Sequence, residues 1–135
     1  MLRLAFFVPF AAVLAAAPLA MPAAAQQSTP APQLDLEQKT LLRCSAVFAI
    51  VAYDQQHGDA NALAYPPLAE RGREYFVQAT ATLMEALQLD HDQVQALFAT
   101  EVTQLQQANA AASDKKRYLA SLMQPCQLSL EASGL

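Results

Sequence analysis

Cys44 to Tyr53 reads Cys-Ser-Ala-Val-Phe-Ala-Ile-Val-Ala-Tyr, apolar on nearly every side at helical spacing. A helix without a polar face must be enclosed by other elements. The segment therefore predicts a central helix, and the rest of the chain has to supply the helices around it. Three glycines in 135 residues, abundant Ala, Leu and Gln, and no alternating strand pattern point the same way. The expected fold is all-α, a small four-helix bundle.

Local punctuation divides the chain. Asp35 with Gln38 forms a capping box that opens the first helix, which runs to about Gln56 and closes at His57-Gly58. A polar loop, 59–65, follows. Pro66-Pro67 is expected to start the second helix, which continues to about Gln88. Asp90 with Gln93 opens the third, and Ser113-Asp114 caps a fourth that Pro125 should interrupt or end. A last turn spans 126–132, and Ser133-Gly134-Leu135 is expected to fray. The second helix offers Leu68, Gly72, Phe76, Ala79, Leu83 and Leu87 to the core, and the fourth offers Tyr118, Leu119, Leu122, Met123 and Cys126.

The N-terminus carries an export pattern. Met1-Leu2-Arg3, an apolar stretch to Ala20 and Ala23-Ala24-Ala25 before Gln26 fit a signal peptide, 1–25, cleaved after Ala25. The rival is a retained membrane anchor, disfavoured by Pro9, Pro18 and the well-formed cleavage site. Residues 26–34 read as a flexible spacer with nothing to bury, and 35–132 as the helical domain. The expected address is the periplasm, with no stable membrane insertion after cleavage. Of 8 Lys and Arg residues, Arg3 leaves with the leader, and the remaining 7 face 12 acidic residues, a charge of −5 against −4 for the whole chain. That balance excludes a nucleic-acid binder, which needs basic residues to displace phosphate counterions.

Export also decides how the two cysteines read, because thiols in an oxidising compartment pair. A Cys44–Cys126 disulfide is expected, and closing a loop of 82 positions is worth about 4.5 kcal/mol in the chain-entropy model. A redox-active pair would call for a reactive thiolate and Cys-x-x-Cys spacing, which this sequence lacks.

Two features stand apart from folding. Glu101 projects between Leu97 and Leu105 on the third helix's apolar stripe, where a carboxylate needs a cation or a raised pKa. Arg43 and Arg73 are its candidate partners; a pH-sensitive role for Glu101 is the functional alternative. The segment from Tyr65 to Phe76 mixes aromatics, arginines and glutamates, and Tyr65, Arg71, Arg73 and Tyr75 are its candidate partner-binding residues. No zinc helix, phosphate loop, dinucleotide fingerprint, nucleophile elbow or haem site occurs. Asp54, His57 and Asp59 are the one ligand-like cluster, and His57 is better explained by the helix C-terminus than by a metal. No catalytic residue, cofactor or metal site is expected.

The combination of Arg43-Cys44 with Phe48, Tyr65-Pro66-Pro67-Leu68 through Tyr75-Phe76, and Pro125-Cys126 resembles short exported bacterial helical proteins that carry no assigned function. The resemblance spans most of the mature chain and implies structural motifs without catalytic residues. Size, compartment and single disulfide are also similar to those of the HdeA-type periplasmic acid-stress chaperones, a likeness of class from which no residue is carried over. The expectation is a non-enzymatic exported domain acting on another periplasmic protein. A pH-responsive chaperone and a small-ligand binder with a cavity beside the first helix are the alternatives.

Overall fold

A computed structural model describes residues 31–135. The expected signal peptide and the spacer as far as residue 30 lie outside the described residues. Among the described residues there are four helices, α1 Leu36–Gln56, α2 Arg71–Leu87, α3 His91–Ala111 and α4 Lys115–Ala132, with a 3-10 turn at Ala62–Ala64. Both predicted capping boxes form, Asp35 with Gln38 and Asp90 with Gln93, and each satisfies amides that a helix start leaves unpaired. Gly58, at a φ of 77°, adopts the left-handed conformation just past α1 that glycine enters without a Cβ penalty.

α1 is the hub. Cys44, Ser45, Ala46, Val47, Phe48 and Val51 are all buried, as an apolar-all-round helix requires. The apolar interior divides into a larger cluster, which joins α1 to the start of α2, the end of α3 and α4, and a smaller one built on Leu42, Leu83, Val94 and Phe98. Cys44 and Cys126 are disulfide-bonded, with Cα atoms 5.1 Å apart. Gly72 lets α2 approach α1 closely, since a Cβ there would stand 3.1 Å from the Phe48 Cβ.

Four local expectations are corrected. Pro66-Pro67 does not start α2: the residue before a proline is pushed toward extended backbone, Tyr65 has ψ 157°, and the helix begins only after Glu70. Pro125 neither ends nor interrupts α4, because buried Met123 and Leu130 and the disulfide at Cys126 hold the turns on both sides of it against the core. Leu34, assigned to a spacer with nothing to bury, packs on the smaller cluster. Leu135, expected to fray, packs on the larger one and accepts a hydrogen bond from Arg71 at its main-chain oxygen.

Candidate functional site

The residues singled out in the sequence divide when their surroundings are known. Glu101 is paired: Arg43 Nε donates to its Oε1 at 3.1 Å, with the Arg43 side chain 58% exposed and that of Glu101 15%. Arg73 is not its partner. An ion pair this open to water is worth ~0–1 kcal/mol.

The Tyr65 to Phe76 segment is only partly a surface. Tyr75 is corrected outright, being 2% exposed. Its ring meets Phe48 edge-on at 5.1 Å, and its hydroxyl lies 2.6 Å from Ser129 Oγ, which links α2 to α4. Burial pushes the phenol above its ordinary pKa, and the Ser129 hydrogen bond partly opposes this. Tyr65 is half-buried against the larger cluster, and Arg71 is engaged with Leu135. Arg71 and Arg73 are both exposed, and Arg73 has no ion-pair partner among the described residues.

Gln55 is a residue the sequence reading missed. Its side-chain amide donates to the carbonyls of Ala62, Tyr65 and Pro66 at 3.1, 3.2 and 3.0 Å, and its Oε1 accepts from the Leu68 amide at 3.1 Å. One side chain from the last turn of α1 thus ties down the connection to α2. A glutamine near a helix end is too common to signal this.

Two openings flank α1. Between α1 and α2 runs a shallow groove whose lining, Phe48, Ala49, Ala52, Leu68, Ala69, Gly72 and Phe76, is apolar apart from Arg73. On the other side α1, α3, α4 and the loop after α1 line a solvent-open cavity of about 80 Å³. Its apolar wall comes from Val47, Ile50, Val51, Leu105, Leu119 and Leu122, and Asp54, Asp59, Asn61, Asn109, Lys115 and Tyr118 also line it. Burial raises the Asp54 pKa, the nearby Asp59 carboxylate raises it further, and His57 partly offsets both. Asp59 is held by its own turn, where its Oδ1 accepts from the amides of Asn61 and Ala62 at 2.9 and 3.0 Å.

The cluster of Asp54, His57 and Asp59 makes no metal site. Among the described residues no group of three or more His, Cys, Asp and Glu is placed to hold an ion. His57 instead stacks on Tyr53 at 4.0 Å between ring centroids and sets Nδ1 2.7 Å from the Tyr53 carbonyl, serving the end of α1. No helix among the described residues is long and apolar enough to cross a membrane. Comparison with protein-family models, curated proteins and solved structures gave no match.

Proposed function

We propose that this chain is an exported, non-enzymatic helical domain that works by contact with another periplasmic protein, and that the α1–α2 groove is its contact face. The observation that carries the reading is the groove itself. Small side chains, Ala49, Ala52, Ala69 and Gly72, leave room along an apolar floor, and Arg73 stands at its edge without a paired carboxylate among the described residues. Such a surface fits an amphipathic partner helix that sets its apolar side chains into the groove and offers an acidic residue to Arg73. Arginine beside an aromatic is also a favoured anchor in protein contacts. The disulfide supports the compartment, since oxidising surroundings preserve such bonds.

A pH-responsive chaperone is less well supported. It needs a carboxylate whose protonation releases a buried face, and Glu101 holds only an exposed-side pair with Arg43.

The test is site-directed photo-crosslinking in the periplasm. A crosslinker at Ala49 or Ala69 is expected to capture one defined protein, and one at Lys116 on α4 is not. Arg73→Glu should abolish the capture while leaving the melting temperature unchanged. Equal capture from Lys116, or none from the groove positions, would sink the reading.

A further inference from the structure

The cavity beside α4 differs in chemistry from the groove. Its wall is aliphatic and its ionisable lining is mainly acidic, Asp54 and Asp59 against the single cation Lys115. Neither carboxylate forms an ion pair among the described residues, and Lys115 forms none either. The Asp54 side chain makes no hydrogen bond to protein among the described residues, whereas the neighbouring Asp59 is fixed by two backbone amides. The last turns of α1 and α3 both contribute lining residues, Asp54 and Asn109, and the carbonyl ends of helices favour cations. Charge, dipoles and an apolar wall together select a cation that carries a short hydrocarbon.

Size narrows the class. The space of about 80 Å³ between the helices takes a few non-hydrogen atoms, and the rest of a ligand would extend through its solvent-facing mouth. The inner space fits the end of an alkyl chain.

We propose that this cavity binds a primary alkylammonium group, its alkyl part against Ile50, Leu105 and Leu119 and its ammonium beside the Asp54 and Asp59 carboxylates. A free alkylamine and the side chain of a partner's lysine present this same group. Lys115 competes for the carboxylates, and His57 and Tyr118 complete the titratable surroundings. Ionised Asp54 is the binding form, so affinity rises with pH through the raised range of that carboxyl, and bound cation displaces its proton.

The test is an amide NMR titration of the folded, disulfide-bonded protein with n-butylammonium, butan-1-ol, acetate and Nα-acetyl-lysine methylamide. Butylammonium is expected to shift Ile50, Leu105 and Leu119. Butan-1-ol, its neutral counterpart, should bind about tenfold more weakly, the factor that ~1.4 kcal/mol of charge interaction gives. Asp54→Asn should weaken butylammonium by a similar factor, and Lys115→Met should tighten it. Asp59→Asn is the second variant: its Oδ1 still accepts from Asn61 and Ala62, so the turn survives while the charge goes. Capped lysine binding more tightly than butylammonium identifies a polypeptide source, and the reverse order a free amine. No binding, equal binding of alcohol and ammonium, acetate shifting the same residues, or indifference to both carboxylate substitutions overturns the proposal.

Discussion

The two apolar clusters along α1 are built differently. The larger gathers Val47, Phe48, Val51, Tyr75, Leu105, Met123 and Leu130 around the one covalent cross-link of the described chain, and draws on all four helices. The smaller has Leu42, Leu83, Val94 and Phe98 at its centre, draws on α1, α2 and α3 only, and has no cross-link. Both openings rest on the larger cluster: the groove uses its Phe48 and Leu68, with Phe76 from the smaller one, and the cavity uses Val47, Val51 and Leu105. The difference shows where a small chain can place a site. A binding surface needs walls that do not open with every local fluctuation, and the stapled cluster supplies them.

Removing the staple is the strongest way to break this comparison. Replacing Cys44 and Cys126 by Ala frees an 82-residue separation, and the expected loss is about 4.5 kcal/mol in the chain-entropy model. That is a large part of the ~5–15 kcal/mol that holds a typical domain together. Urea unfolding of the variant beside the oxidised protein measures it. A loss below about 1 kcal/mol would place the stability elsewhere and remove the distinction between the clusters.

The smaller cluster is probed at Phe98, which is 6% exposed and lies 4.7 Å from Phe76 between ring centroids. Phe98→Ala should cost about 3 kcal/mol, from lost burial and the void left behind. Because no cross-link constrains this end, amide exchange is expected to speed up in the first turns of α3 and the last of α2, while amides around Cys44 and Cys126 stay protected. Uniform acceleration along α1 would mean that the clusters open together as one cooperative unit.

The bundle was legible because the signals that define it are local. An all-round apolar stretch requires a central helix, capping boxes fix two helix starts, and two cysteines in a chain with an export pattern pair. Where the reading went wrong, tertiary contacts outweighed local preference. Pro125 sits inside α4 because packing at Met123, Cys126 and Leu130 offsets its missing amide. Glu70, two residues past Leu68, rather than Pro66-Pro67, opens α2, since Gln55 holds the intervening chain in a non-helical path. Tyr75 had a signal that was available: Gly72, Tyr75, Ala79 and Leu83 form a stripe at helical spacing, and all four are buried. Its hydroxyl and charged neighbours suggested a surface, but Ser129 satisfies that hydroxyl from a helix 54 positions away. The Glu101–Arg43 pair was open between two arginines, and helix rotation alone could not choose between them. A cavity beside the first helix is among the sequence expectations, but its lining and the groove cannot be read there, because the lining comes from three helices and one loop brought together only by the fold.

The smallest expected effect concerns Asp54, a charge that the stapled cluster carries at some cost to itself. Its pKa in the folded protein is raised above the ordinary 3.8, first by burial and then by Asp59. The folded state therefore holds this proton more firmly than the unfolded chain does. The stabilising contribution is fully present below about pH 3.8 and is lost as pH rises through the raised value, leaving ionised Asp54 a liability at neutral pH. Asp54→Asn should accordingly be slightly more stable than the parent at pH 7, by well under ~1 kcal/mol because solvent screens a carboxylate that is only partly buried. The gap should close as pH falls through the carboxyl range, which paired urea curves at several pH values would show. A variant less stable than the parent at pH 7 would mean that the apo protein already neutralises Asp54, with Lys115 as the nearby cation. The cavity would then be a satisfied part of the stapled core, and only the groove would distinguish that end of the molecule as a binding surface.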